Sequence, residues 1–161
     1  MLSFNTRRCW LPMRYLAVAV TVLSAAALSA YAAGGSARPA IAADYAKIDA
    51  AISRRNLVEA LSYCTPDFTQ TAGDGIPEHL NEVRIEAQLE AKEITAAQNQ
   101  TRILALTQTG KKAVVIIRQT IRVSTARAHM SETEKERDTW IDTPRGWRMQ
   151  SSIVLSKSMG N

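Results

Sequence analysis

Ala113-Val-Val-Ile-Ile-Arg-Gln-Thr-Ile-Arg-Val-Ser-Thr125 is the segment of this 161-residue chain that decides the fold. Its odd-numbered positions from Val115 to Val123 are almost wholly apolar, whereas its even-numbered positions include Arg118 and Arg122. Alternation with a period of two is typical of a β-strand with one buried face. The segment therefore predicts a long strand in a sheet that packs against a core.

Three more strands are predicted around this segment, over residues 101–107, 132–143 and 147–156. Turns at residues 110–112, 126–131 and 144–146 connect them into an antiparallel meander. A simple hairpin register places Arg118 opposite Asp138 and Arg122 opposite Glu134, which favours cross-strand ion pairs.

Helical patterns precede the meander. The first helix has one apolar face, a second short helix covers residues 57–64, and a longer third helix is predicted over residues 77–97. Phe68–Thr71 is predicted as a short strand and residues 73–75 as a turn. This order predicts an α+β domain with a mostly antiparallel sheet and helices on one face. The apolar positions of the first helix are Ile41, Tyr45, Ile48 and Ile52.

The N-terminus has the organisation of a secretory signal peptide. Three arginines precede the apolar run 15–28, and Ala30-Tyr31-Ala32 follows it. We expect cleavage after residue 32, a flexible lead-in over 33–39 and a single domain over 40–158. The expected location is periplasmic or extracellular, without stable membrane insertion after cleavage, because the run is shorter than the roughly 20 residues of a membrane span. The paired Arg7 and Arg8 leave both the general and the twin-arginine export routes open.

Cleavage would also change the charge balance. Without Arg7, Arg8 and Arg14, the 20 basic residues become 17 against 15 acidic ones, and the formal net charge falls from +5 to +2. Basic residues alternate with acidic ones, so the sequence indicates no clustered basic face and no nucleic-acid partner. Cys64 would be the single remaining cysteine, and we predict a small buried thiol without an intramolecular disulfide.

Three stretches resemble the nuclear transport factor 2-like superfamily, and within it the small SnoaL-like proteins. They are Ile48-Asp-Ala-Ala-Ile52, Ala60-Leu-Ser-Tyr-Cys-Thr-Pro-Asp-Phe-Thr69 and Arg137-Asp-Thr-Trp-Ile-Asp-Thr-Pro-Arg-Gly-Trp-Arg-Met149. The resemblance implies a cone-shaped curved sheet wrapped around a long helix, with a pocket at the open end. The family hosts isomerases, cyclases, dehydratases, hydrolases and binding modules, so the fold leaves the function open.

The residues expected for known chemistries are incomplete. Resemblance to an isomerase of the ketosteroid type implies a hydrogen-bond-donor tyrosine, and Tyr45 is near the expected position. It also implies a carboxylate base at the position where this chain has Thr71-Ala72. Asp74 lies slightly after that position. The epoxide hydrolases of the family imply an Asp–Arg–Asp arrangement, but Arg137 and Asp138 are adjacent and point to opposite faces of a strand. His79 and His129 show no metal-ligand spacing, and no glycine-rich phosphate loop is present, so we predict neither metal nor cofactor.

A small-molecule pocket is the remaining site hypothesis. A mostly apolar cavity with a few convergent polar groups is typical of ligand sites. The alternative is that the aromatic residues belong to the core and that Arg137 reaches solvent. Trp140 falls on the opposite face from Arg137 and, if exposed, would fit a dimer surface. The predicted ligand-binding residues are Tyr45, Asp49, Tyr63, Phe68, Gln119, Arg137, Thr139 and Ser151.

The sequence thus predicts an exported small-molecule-binding domain for an apolar or amphipathic ligand, and a homodimer. An enzyme of the same fold, an isomerase, cyclase or hydrolase using Asp49 or Asp74 with Tyr45, is the first alternative. A non-catalytic dimeric association module is the second.

Overall fold

A computed structural model describes residues 36–72 and 75–160 of the chain. The predicted signal peptide, the first part of the lead-in and Asp74 lie outside the described residues. None of the described helices is long and apolar enough to cross a membrane. The elements are α1 (Ala37–Ser53), α2 (Leu57–Leu61), β1 (Cys64–Thr71), β2 (Pro77–His79), α3 (Leu80–Ala91), β3 (Ile94–Thr109), β4 (Lys112–Thr125), β5 (His129–Thr143) and β6 (Gly146–Gly160).

The six strands form one curved, open sheet in the order β2-β1-β6-β5-β4-β3. All neighbouring strands are antiparallel except β1 and β6, which are parallel. The predicted α+β class and the four-strand meander are confirmed. We call the side of the sheet that carries Val115 and Ile117, both fully buried, the inner face, and the opposite side the outer face.

Helix α1 supplies the apolar surface that covers the inner face. The predicted stripe is confirmed, because Ile41, Tyr45, Ile48 and Ile52 are all buried. Asn56 then caps α2, since its side-chain oxygen accepts the backbone N–H of Glu59 at 3.1 Å. Apolar spacing along a helix is thus sufficient to identify this layer of the core.

The predicted third helix is shorter than expected, because both of its ends belong to strands. Pro77–His79 forms β2, and α3 begins at Leu80, where Glu82 accepts the N–H of His79 at 2.7 Å. Residues from Ile94 onward pair with β4, starting with Ile94 opposite Thr125. Pairing with a long neighbouring strand outweighs the local helical pattern of this segment.

The predicted register between β4 and β5 is wrong. Arg118 lies opposite Lys135, Arg122 opposite Ser131, and Asp138 opposite Val115, so neither predicted ion pair forms. The hairpin loop is short, with Ser124 opposite His129, and this shifts the pairing by three residues. An odd shift moves every side chain of a strand to the other face of the sheet. The even-numbered residues of β5 therefore point inward.

An irregularity in β6 changes which of its residues face inward. Trp140 pairs with Met149, whereas the preceding Thr139 pairs with Ser151, so Gln150 is an extra residue. Trp147 and Met149 are buried, but the next buried position is Ser152. Plain alternation from Met149 would place Ile153 and Leu155 on the inner face, and the extra residue prevents this.

Candidate functional site

The inner face of β5 carries a line of buried carboxyl groups. Its members occupy alternate positions of the strand and therefore share one face. Each has no more than 2% of its surface exposed. The four carboxyl groups form what we call the β5 acid ladder: Glu132, Glu134, Glu136 and Asp138. The fully buried Trp140 follows Asp138 on the same face, at the C-terminal end of the ladder.

Tyr45 connects helix α1 to the ladder. Its hydroxyl donates to Asp138 Oδ2 at 2.7 Å and accepts from Trp140 Nε1 at 2.6 Å. The rings of Tyr45 and Trp140 meet edge to face, with their centroids 4.7 Å apart. Burial, and then the charge of Asp138, raise the pKa of Tyr45 well above its usual value. Tyr45 therefore stays a hydrogen-bond donor.

Asp138 keeps one oxygen without a partner. No described residue hydrogen-bonds to its Oδ1. Burial raises the pKa of Asp138 to about 6, while the neighbouring Ser152 hydroxyl and then the hydrogen bond from Tyr45 act in the opposite direction. The next ladder residue, Glu136, accepts the Ser152 hydroxyl at 2.7 Å. Burial, and then the charges of Asp138 and Glu134, raise the pKa of Glu136.

Lys157 of β6 contacts the other end of the ladder. Its ammonium pairs with Glu132 and lies 3.3 Å from Glu134 Oε1. Burial, followed by the neighbouring Glu132, nevertheless raises the pKa of Glu134 to about 7. Burying several like charges with little compensation favours protonated carboxyl groups. Glu134 and Glu136 therefore hold protons to a higher pH than exposed glutamates do.

Asp49 lies one helical turn after Tyr45 and faces β3. It accepts the side-chain N–H of Asn99 at 2.6 Å. Burial raises the pKa of Asp49 to about 8, although a backbone hydrogen bond from Thr101 opposes the shift. Thr101 is opposite Gln119, which is opposite Glu134, so a polar row crosses the inner face here.

Two of the buried side chains on other strands with an oxygen that lacks a partner among the described residues lie on the inner face. They are Oε1 of Gln70, which is 1% exposed, and Oγ1 of Thr101, which is fully buried. Gln70 of β1 lies opposite Ser152, the residue that donates to Glu136. The inner face therefore combines the ladder with unsatisfied acceptors from two other strands.

The chain shares its architecture with proteins of known structure. No protein-family model and no curated protein matches the sequence. A nuclear transport factor 2-like superfamily protein from Salmonella enterica superposes with a TM-score of 0.61 at 13% identity, covering 74% of this chain and 90% of that one. A Novosphingobium aromaticivorans protein described provisionally as a scytalone dehydratase gives 0.68 at 8% identity, covering 77% and 87%. The chain has the nuclear transport factor 2-like fold.

A third structure with this fold is a type 2 hexachlorocyclohexane dehydrochlorinase. It superposes with a TM-score of 0.61 at 11% identity, and the match covers 77% of this chain and 88% of that one. At these sequence identities the similarity concerns the fold alone, because proteins with unrelated activities can have the same fold.

The structure brings together part of the predicted site. Tyr45, Phe68 and Gln119 are buried on the inner side, and Asp49 is half-buried beside them. Tyr63 is half-exposed, with the Arg148 guanidinium 5.6 Å and the Lys47 ammonium 5.9 Å from its ring centroid.

The other three predicted residues lie on the outer face. Arg137 is exposed, and Thr139 lies opposite Ser151, both half-buried. Their predicted inward orientation is wrong because of the register shift of β5 and the extra residue of β6. The prediction missed the ladder and Ser152. The even-numbered position of Trp140 was the available signal, since a large aromatic residue favours the buried face and the acids share its parity.

In the described ranges, no group of three or more His, Cys, Asp and Glu side chains is arranged to hold a metal ion. Cys64 is partly buried close to the ladder, and burial, followed by the charge of Asp138, raises the pKa of its thiol. A raised thiol pKa disfavours the reactive thiolate. The chemical capacity of the site thus lies in its carboxyl groups and their hydrogen-bond donors.

Proposed function

We propose that this protein is an exported small-molecule-binding domain whose ligand is amphipathic. Asp138, at one end of the ladder, forms the polar part of the proposed binding surface together with Tyr45 and Ser152. The fold supports this proposal, because other proteins of this fold include the dehydrochlorinase described above. The polarity of the inner face favours an amphipathic ligand over a purely apolar one.

The observation that carries the proposal is the partnerless Oδ1 of Asp138. A buried acceptor without a donor costs about 1–3 kcal/mol of stability. Oδ2 of the same group is held by Tyr45 at 2.7 Å, so the orientation of Oδ1 is constrained. A ligand hydroxyl or amine that donates to Oδ1 would recover the lost hydrogen bond.

Apolar neighbours would complete such a site. Val115 lies directly opposite Asp138 on β4, and Ile117 opposite Glu136. Phe68 of β1 is also fully buried. An apolar body with one donating group would match this combination, because the apolar part gains from burial and the donor fixes the orientation.

Native mass spectrometry of the protein purified gently from its own host tests the proposal. We expect a recurring small molecule on the wild type and its loss from Asp138→Asn, whose amide replaces an acceptor with a donor. Tyr45→Phe should weaken retention less, because it leaves Oδ1 in place. The matched control is Asp67→Asn, since Asp67 is exposed on β1.

A wild type without any bound molecule under these conditions would contradict the proposal. Equal retention by wild type and Asp138→Asn, with both proteins folded by circular dichroism, would place the ligand elsewhere.

Acid–base catalysis at the same site is the second candidate. It is favoured by the raised pKa values of Asp138, about 6, and Asp49, about 8, because carboxyl groups that titrate near neutral pH suit proton transfer. Tyr45 bonds Asp138 rather than Asp49, so Asp138 is the better placed partner. Conversion of the released molecule by wild type, with weaker binding by Asp138→Asn and no turnover even at saturating concentrations of the molecule, would establish an enzyme.

Export and self-association complete the proposal. N-terminal sequencing of the protein from its host should begin near residue 33 if the signal peptide is cleaved. Trp140 no longer supports a dimer surface, because it is fully buried. Ile85 and Leu89, one turn apart on α3 and 60% and 57% exposed, are the better candidates for a homodimer contact. Sedimentation of Leu89→Ser against wild type tests this contact.

A further inference from the structure

The outer face of the sheet carries a row of cations on three adjacent strands. Arg102 of β3 lies opposite Arg118 of β4, which lies opposite Lys135 of β5. All three side chains are exposed. Neighbouring strands are about 4.8 Å apart, and like charges directly opposite each other destabilise a sheet. These three residues, which we call the outer cation row, therefore destabilise the sheet locally.

No acidic residue of β3–β6 lies on this face of the sheet. Strands β3, β4 and β6 contain no Asp or Glu, and the acids of β5 all occupy even-numbered positions, the parity of the inner face. Arg122 and Arg137 add two more exposed cations to the outer face. The sequence predicts no clustered basic face, and this prediction is wrong for the outer face of the sheet. The strands sort the acids of β5 inward and its Lys and Arg outward.

Two exposed leucines flank the row. Leu104 follows Arg102 at an irregularity of β3 and is 38% exposed. Leu155 lies at an irregularity of β6, next to the residue opposite Lys135, and is 44% exposed. Basic side chains next to exposed apolar ones are typical of surfaces that bind at a membrane interface.

A depression of about 300 Å³ lies at the end of the sheet near the β4–β5 turn. Its lining includes Arg122, Ser124, His129 and Ser131. Ser124 Oγ and His129 Nδ1 are hydrogen-bonded to each other at 2.8 Å, so Arg122 is the charged donor of this lining. Arg122 therefore extends the basic surface to the end of the sheet, where its guanidinium can donate hydrogen bonds to a phosphate.

We propose that the outer face docks on a bilayer surface rich in anionic phospholipid. The outer cation row and Arg122 meet lipid phosphates, and Leu104 and Leu155 reach the acyl boundary. Single-stranded nucleic acid fits less well, because no aromatic residue of β3–β6 lies on this face for base stacking; Trp140 and Trp147 are buried. A symmetric second copy would bring the two cation rows together.

Co-sedimentation with vesicles tests this docking. The vesicles contain phosphatidylglycerol and phosphatidylcholine at a ratio of 3:7, with pure phosphatidylcholine as the reference. Each cation near an anionic membrane contributes about fivefold to binding, so the triple variant Arg102→Gln, Arg118→Gln, Lys135→Gln should bind roughly a hundredfold more weakly. The double variant Leu104→Ser, Leu155→Ser should also weaken binding, without any change of charge.

The matched control is Arg38→Gln, Lys92→Gln, Arg145→Gln, which removes the same charge from exposed positions outside the outer face. Equal losses by the two triple variants would overturn the proposal, because net charge alone would then explain binding. The proposal would also be overturned, in favour of a nucleic acid, if the protein bound a single-stranded DNA oligonucleotide as tightly as the vesicles and if the double leucine variant bound this DNA as well as the wild type does. No preference for anionic vesicles at 50 mM salt would also overturn it, since screening is weak there.

Discussion

Tyr45 and Asp138 are 93 residues apart in the chain and share a buried hydrogen bond of 2.7 Å between α1 and β5. The same hydroxyl accepts the indole N–H of Trp140, so one oxygen satisfies two polar groups in the core. This contact joins the helical layer to the sheet and sets the orientation of the carboxyl group that the proposed site depends on.

Tyr45→Phe should lower the free energy of unfolding by about 1–3 kcal/mol, because it removes the donor to Asp138 and the acceptor for Trp140 while keeping the ring. Urea unfolding at pH 7 measures the loss. The control, Tyr63→Phe, changes a half-exposed tyrosine and should cost less than about 0.5 kcal/mol. Equal losses for the two variants would show that the buried hydrogen bonds add nothing to stability.

Stability should decline as the pH rises towards 8. The pKa of Asp49 is raised from 3.8 to about 8, so between these values the folded state holds a proton that the unfolded state has lost. The free energy of unfolding therefore falls across this range and levels off above it. Asp138 and Glu134, with pKa values of about 6 and 7, act in the same direction.

Asp49→Asn should make this decline shallower, most clearly between pH 6 and 8, because the amide does not titrate. Melting temperatures of both proteins at pH 5, 6, 7 and 8 test the prediction. Asp67→Asn is the control, since hydrogen bonding, led by Thr65, lowers the pKa of Asp67 and places its titration below this range. Parallel curves for wild type and Asp49→Asn would show that Asp49 is ionised in the folded protein near pH 6.

Lys157→Gln should destabilise the protein more at pH 8 than at pH 5. The ammonium contacts Glu132 and Glu134, and because the pKa of Glu134 is raised to about 7, the loss of the ammonium matters most above that pH, where Glu134 is ionised. We expect a loss of about 1–3 kcal/mol at pH 8. Urea unfolding at both pH values measures it, with the exposed Lys92→Gln as the control. A loss independent of pH would indicate that Lys157 acts through packing rather than charge.

Arg118→Glu should stabilise the protein at low salt by about 0.5–1 kcal/mol. The substitution places a negative charge between Arg102 and Lys135 and converts two repulsive cross-strand pairs into attractive ones. The gain should shrink at 1 M salt, where screening is strong. Arg145→Glu makes the same charge change in a turn, and an equal effect from it would remove the local explanation.

The elements were predictable where local pattern and packing agree. The apolar stripe of α1 and the alternation of β4 identify buried faces without any tertiary information. The segment from Ile94 to Gln100 was not predictable, because its helical pattern is overridden by pairing with β4. Of the site, Tyr45 and Gln119 follow from these patterns, whereas Asp138 and Ser152 depend on the register of β5 and β6.

The sequence by itself determined that the acids of β5 and the pair Lys135 and Arg137 lie on opposite faces, because strand side chains alternate with a period of two. Only the tertiary structure decided which of the two sets faces the core. The short β4–β5 turn sets the pairing, and the fully buried Trp140 carries the acids inward with it. A shift of one residue would exchange the two faces, and the preference of Trp140 for the buried face takes effect only when the strands pair and pack against α1.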